Sequence, residues 1–246
     1  YLGEDIDGYI AIPRGILSSL LERLKEAEIL YEIEDKRQNG HKIHVDFHGT
    51  LRDNQRSAVE HLIKYDNGIL SAATAFGKTV VCCNLIACKK VNTLILLELS
   101  SLIDQWVKAV ENFLLINEEL PTYKTKTGIL KVRKSNIGVL HGAKDTTTGI
   151  IDIAMVGTLY GKGKFHTRLQ DYGMVIIDEC HHAASDTIQR ILQEVKAKYV
   201  YGVTATPIRE DGLDKINYML IGPIRFRYSS RERAEEQGIE HLVYPR

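Results

Sequence analysis

The stretch Ala72-Ala73-Thr74-Ala75-Phe76-Gly77-Lys78-Thr79 follows a short apolar run and leads into a helical pattern. A loop of this kind can turn its backbone N–H groups inward around a phosphate, with the helix N-terminus adding partial positive charge. Lys78 offers an ammonium that can reach β- and γ-phosphates, and Thr79 a hydroxyl suited to Mg2+. A lone Gly-Lys-Thr turn carries little weight. Further along, the apolar run Met174-Val175-Ile176-Ile177 delivers two adjacent acids, Asp178 and Glu179, followed by Cys180-His181-His182. One carboxylate at such a strand end can hold Mg2+ while its neighbour polarises an attacking water. A DE pair ending a strand is common on surfaces, but the phosphate loop upstream makes the combination point to ATP and Mg2+. A third element, Gly202-Val203-Thr204-Ala205-Thr206-Pro207, also falls at a strand end. Its two hydroxyls suit hydrogen bonds linking the acids to neighbouring loops; in isolation it reads equally as a plain turn.

These residues need a scaffold that brings strand ends together. From Leu51 onward, apolar runs at 68–71, 93–97, 151–156, 174–177 and 198–201 alternate with helical segments such as Leu102–Leu115 and Thr187–Val195. Continuous apolar strands separated by helices predict a parallel sheet covered on both faces. Ligands in such sheets bind beyond the carboxyl ends of the strands, where the motifs sit. Residues 1–46 read differently. Tyr9-Ile10-Ala11-Ile12 stops at Pro13, and Ile16, Leu17, Leu20, Leu21 and Leu24 recur at helical spacing. Leu30–Ile33 and Lys42–Val45 then alternate like strands around Asn39-Gly40, a hairpin signal. The expected class is α/β: a P-loop domain with a central parallel sheet at 47–228, preceded by a small α+β unit at 1–46. Residues 229–246 read as a linker.

Composition narrows the class further. The 246 residues are 44% hydrophobic, with 32 basic and 32 acidic side chains. A balanced charge excludes a strongly basic scaffold, so contact with nucleic acid has to come from local patches. Lys124, Lys126, Lys131, Arg133 and Lys134 form one cluster, and Lys162, Lys164, His166 and Arg168 a second, favoured for nucleic acid. Solvated surface is the bland reading of both. The four cysteines show no paired spacing and read as reduced thiols in a cytoplasmic protein, without zinc or disulfides. His181-His182 lacks ligand partners at zinc-like spacing. Trp106 and Phe113, at helical spacing, read as core. No membrane-spanning run is present. A start at Tyr1 and an end at Tyr244-Pro245-Arg246 suggest an excised piece of a longer chain.

In order and spacing, Lys78-Thr79, Asp178-Glu179-Cys180-His181 and Thr204-Ala205-Thr206-Pro207 resemble motifs I, II and III of DEAH-type superfamily-two helicases. Leu51-Arg52-Asp53-Asn54-Gln55 is similar to the upstream glutamine motif of that group, and Leu102-Ile103-Asp104-Gln105-Trp106 to its Leu-x-x-Gln-Trp helix. The Thr-Ala-Thr-Pro run followed by Arg209-Glu210-Asp211 resembles the XPB/Rad25-like and type III restriction helicase branch. The resemblance implies the first RecA-like domain of an ATP-dependent motor tracking on DNA. It assigns Gln55 to adenine and, with Arg52, the 74–79 loop (Thr74, Ala75, Phe76, Gly77, Lys78, Thr79) to nucleotide. Thr79 and Asp178 go to Mg2+, and Glu179 to the attacking water. His181, Thr204, Thr206 and the Arg209-Glu210-Asp211 element would couple the site to nucleic acid. It also implies a second RecA-like domain of the same chain supplying an arginine, without which the fragment hydrolyses ATP poorly. A motor subunit of a restriction or phage-defence complex shares these motifs, with a nuclease or repair partner. A nucleotide-gated binding module without translocation is the reading from a different class.

The sequence departs from the family pattern at four places. Ala72 and Ala75 replace loop glycines, so the loop geometry is expected to differ slightly. Glu98-Leu99-Ser100 stands where a phosphate-contacting element is expected, and an acid there repels phosphate. Val156-Gly157-Thr158-Leu159 replaces a strand-contacting Thr/Gln-Ser-Leu element.

Overall fold

The computed structural model describes residues 3–6, 8–125, 127–161, 163–181, 185–205, 214–229 and 232. Its centre is an eight-stranded sheet. In chain order the strands are β1 (Asn67–Ala72), β2 (Thr93–Leu97), β3 (Ile137–His141), β4 (Lys144–Asp145), β5 (Ile151–Met155), β6 (Met174–Ile177), β7 (Tyr199–Thr204) and β8 (Ile224–Tyr228). Their spatial order is β4-β3-β5-β2-β6-β7-β1-β8, and every pairing is parallel except the antiparallel β4 at one edge.

Alternate residues of each strand feed two separate cores. Leu70, Ile95, Leu97, Ile153, Ile176 and Val203 face one layer, packed under α2 (Asp53–Leu62), α3 (Lys78–Lys89) and α4 (Ile103–Phe113). Ile69, Leu94, Leu96, Val175, Ile177 and Val200 face the other, under α6 (Asp186–Glu194) and α7 (Asp214–Leu220). Burial on both faces is why these strands read as unbroken apolar runs. The α/β fold with a parallel sheet is as expected. Among the described residues no helix is long and apolar enough to cross a membrane.

The N-terminal region corrects the hairpin expectation. Leu30–Ile33 forms no strand, and Leu30 is 99% exposed. The Asn39-Gly40 segment instead threads past the amino ends of the central strands, with Gln38 bridging Ala197 and Lys42 bridging Val91. Asn92 explains this outcome. Its Oδ1 accepts from the N–H groups of His41 and Gly173, and its Nδ2 donates to Asp171 O. A Cβ on Gly40 would lie 2.2 Å from that Oδ1, so only glycine fits. Arg37 pairs with Asp35 and Asp66. The 36–40 segment therefore lies at the amino ends of the strands, opposite the motif-bearing ends. Val45–Phe47 pairs with Leu114–Ile116, after α4. The preceding helix, α1 (Leu17–Glu26), buries no residue fully. Its segment is pinned by Arg14, which donates to Ala197 O and Val195 O at 2.6 and 2.5 Å.

Candidate nucleotide-binding site

Three parallel strands end side by side at one rim. In register Ile177 of β6 faces Gly202 of β7, and Thr204 of β7 faces Ser71 of β1. With neighbouring strands about 4.8 Å apart, the phosphate loop after β1 and the acids after β6 stand roughly 10 Å apart. The motifs thus share one rim, as a common pocket requires.

The loop after β1 is gripped from below and behind. Phe76 is buried, its ring 4.9 Å from that of Tyr228, while Ala73 N–H donates to Tyr228 O at 3.0 Å. Gln55 is also buried. Its Nε2 donates to Phe76 O at 2.8 Å, and its Oε1 accepts from Arg52 N–H at 3.0 Å. The Arg52 guanidinium donates to the same Phe76 carbonyl and, at 3.4 Å, to Ala75 O. Arg52 and Gln55 of the upstream glutamine motif therefore hold the loop backbone. Thr74 and Ala75 form its exposed crest.

Two residues in this loop adopt left-handed backbone. Gly77 has φ 85°, and a Cβ there would lie 2.4 Å from Gln55 Nε2, so glycine is required on both counts. Ala75, where the family commonly has glycine, has φ 65°. The glycine-type geometry is thus retained without the glycine. Lys78 opens α3 and donates from Nζ to Ala72 O at 3.2 Å, beneath the loop; Thr79 follows, half-buried.

Opposite, Asp178 is held by backbone and side chain. Its N–H donates to Leu96 O at 3.1 Å, and its Oδ2 accepts from Trp106 Nε1–H at 2.7 Å. Burial raises the Asp178 carboxyl above its ordinary range and Glu179 adds to this; the Trp106 hydrogen bond and the Lys78 charge oppose it. Glu179 sits at φ 47°. Its Oε2 lies 3.3 Å from His181 Nδ1 and accepts at 3.4 Å from both Thr204 Oγ1 and Ala205 N–H. His181 Nδ1 and Thr204 Oγ1 are 3.0 Å apart, closing a triangle. Cys180 is buried with its thiol pKa pushed up by desolvation, against Gly202, where a Cβ would lie 2.7 Å from Sγ. A larger residue at 202 would force the acid-bearing turn away from β7.

The donor set suits ATP with Mg2+. A left-handed glycine cradle precedes a helix N-terminus, an ammonium lies beneath it, and a hydroxyl and carboxylates supply hard oxygen ligands. Lys78, Asp178, Glu179, His181 and Thr204 come together at the rim. Thr206, Arg209, Glu210 and Asp211 lie outside the described residues, as do His182, Lys162 and Lys126. Lys164 and His166 lie further along the rim, beyond the ends of β3 and β5, whereas the Arg168 guanidinium lies against Gly149, before β5. There Gly142, Gly157, Thr158, Gly161, Lys164, Phe165 and His166 line an open cavity of about 410 Å³. Thr158, in the short helix α5 (Val156–Leu159) that departs from the family pattern, accepts from Gly142 N–H at 2.9 Å. Trp106 is core, as read, but its role at Asp178 was missed. The available signal was that a buried indole N–H demands an acceptor.

Residues 48–209 match the family model of the type III restriction enzyme, res subunit. The chain is 30% identical over 188 residues to the DNA 3'-5' translocase XPB2 of Sulfurisphaera tokodaii, covering 75% of this chain and 37% of that protein. It is 28% identical over 216 residues to the DNA repair helicase/translocase XPB-R of Trypanosoma brucei brucei, covering 72% and 28%. The chain spans about half or less of the length of such curated relatives. Among solved structures it resembles bacteriophage T4 UvsW, with TM-score 0.57 and 14% identity over 88% of this chain and 45% of that one. The fold also matches the DNA-bound type ISP restriction-modification enzyme LlaBIII, with TM-score 0.53 and 15% identity over 77% and 16%. The chain belongs to the type III restriction enzyme res subunit family, related to the XPB/Rad25 branch of superfamily-two helicases, and carries an ATP-binding motor-like domain.

Proposed function

We propose that this chain is the first RecA-like half of a DNA helicase or translocase that couples ATP hydrolysis to movement on the strand. The observation supporting it is the shared rim: the Lys78 loop, the Asp178-Glu179 pair and Thr204 end three adjacent parallel strands. Lys78 and the loop N–H groups bind the phosphates. Thr79 and Asp178 would hold Mg2+, which when bound would neutralise phosphate charge. Glu179 takes the proton of the attacking water. Its Oε2 accepts from Thr204 Oγ1 and Ala205 N–H, beside His181. These contacts connect the proton acceptor to the element after β7. Arg52 and Gln55 fix the loop from behind, and Gln55 retains amide capacity to meet adenine.

On the same reading the domain comprises 47–228, Lys164 and Arg168 contact nucleic acid, and a second RecA-like domain supplies the arginine that completes turnover. Relatives that act on DNA by name support DNA as the track. The test is ATPase activity of the whole gene product with and without single- and double-stranded DNA. Glu179→Gln should abolish turnover while sparing nucleotide binding. Turnover at the wild-type rate in that variant would remove Glu179 from the chemistry, and with it the proposed site.

A further inference from the structure

Trp106 is the single tryptophan of the chain. It lies in the first turn of α4, is fully buried, and aims its indole N–H at Asp178 Oδ2. A phenyl ring would fill much of the same space; the indole adds one donor, spent on the carboxylate that the proposed chemistry requires in one orientation. The second hold on Asp178 is the Leu96 carbonyl, on β2. β2 and α4 flank the 98–102 turn, so both restraints come from the segment entering and leaving it. Oδ1 accepts from Glu179 N–H at 3.0 Å and keeps a lone pair for a cation.

We propose that Trp106 is a positioning residue for the metal ligand: its indole N–H holds the Asp178 carboxylate in the orientation that meets the divalent cation on the nucleotide. The inference rests on the ATP·Mg2+ reading above. It gives the Leu-x-x-Gln-Trp helix a task at the nucleotide site. It also gives the 98–102 turn a rigid connection to the cation, through a helix and a strand.

The test titrates the protein with ATP by calorimetry, in Mg2+ and in EDTA, for wild type, Trp106→Phe and Lys78→Ala. Partners that orient a metal ligand typically account for about 10–100-fold in metal affinity. Trp106→Phe should therefore lose about that much of the Mg2+-dependent gain in ATP affinity, while binding in EDTA stays at the wild-type value. Wild-type binding that is absent, or indifferent to Lys78→Ala, would overturn the nucleotide-site reading itself. Lys78-dependent binding with an unchanged Mg2+ gain in Trp106→Phe would overturn the positioning role alone. A spectroscopic arm covers the case in which Trp106→Phe fails to fold. Emission of wild-type Trp106, free of background from other tryptophans, should change when Mg2+ is added to the ATP complex, and Asp178→Asn should lose that response. An emission indifferent to Mg2+ in the wild-type complex refutes the proposal.

Discussion

Ala75→Gly should stabilise the protein, although glycine substitutions inside ordered segments usually do the reverse. Ala75 is held at φ 65°, where the Cβ of an L-residue crowds the following carbonyl. That conformation costs about 1–2 kcal/mol for a residue with a side chain and almost nothing for glycine. Against this gain stands the larger conformational freedom of glycine in the unfolded chain, about 0.4–1 kcal/mol. The side chain is exposed on the loop crest, so truncation forfeits little packing. The balance is a stabilisation of roughly 0.5–1 kcal/mol, which for a chain of this size raises Tm by about 1–4 °C. Gly77→Ala is the matched control. It incurs the same left-handed cost and drives a Cβ to 2.4 Å from Gln55 Nε2, breaking the Gln55–Phe76 hydrogen bond. Its expected loss is about 2–3 kcal/mol. Thermal unfolding followed by circular dichroism reads both. A lower Tm for Ala75→Gly would mean that the strain at 75 is absent in solution, and the retained-geometry argument would fail.

Two further predictions concern the frame. Tyr172→Phe removes the hydroxyl that donates to buried Asp152 Oδ2 at 2.5 Å, while Thr148 and Gly149 N–H groups continue to serve that carboxylate. Loss of one hydrogen bond to a charged group should cost about 1.5–3 kcal/mol in denaturant unfolding, and an unchanged midpoint would show the contact to be idle. Asp35 is held down to about 2, chiefly by its hydrogen bond to Arg37. A carboxyl depressed in the fold stabilises above its unfolded pKa, near 4, and loses that contribution as pH falls toward 2. The pair is largely exposed, so the effect should stay under about 1 kcal/mol. Stability curves of wild type and Asp35→Asn should converge between pH 4 and 2; a gap constant with pH would contradict the assignment.

The central strands and their chemistry were legible because burial on both faces leaves unbroken apolar runs, and because each motif sits where its run stops. Met174–Ile177 and Thr93–Leu97 come out with the boundaries read from the sequence. Three sheet strands were not legible, one of them the two-residue edge strand Lys144–Asp145. Ile137–His141 contains Gly138, which the fold needs because a Cβ there would lie 2.0 Å from Asp152 Oδ1, and glycine weakens any local strand signal. Ile224–Tyr228 alternates with arginines at the sheet edge, and Arg225 spreads over the Tyr65 ring at 3.6 Å. Such a sequence reads as a solvated surface until the partner is known. The false hairpin at Asn39-Gly40 has the same origin. Its turn chemistry is genuine, but Asn92, more than fifty residues away in the chain, claims the backbone.

Backbone strain separates the candidate site from the frame without reference to motifs. Among the described residues, four other than glycine have positive φ: Glu28, Ala75, Lys90 and Glu179. Glu28 follows the C-terminal end of α1, and Lys90 caps α3 with its N–H on Ile86 O. Left-handed residues are ordinary at helix ends, so these two require no special account. Ala75 and Glu179 end no helix. Each occupies the turn directly after a buried strand, on the same rim, and each is held in place by contacts from other elements: Arg52 on the Ala75 carbonyl, Thr204 and Ala205 on the Glu179 carboxylate. Strain of about 1–3 kcal/mol per residue persists only where surrounding structure enforces it. Its presence in both the phosphate loop and the acidic turn is what a rim shaped to hold a triphosphate requires.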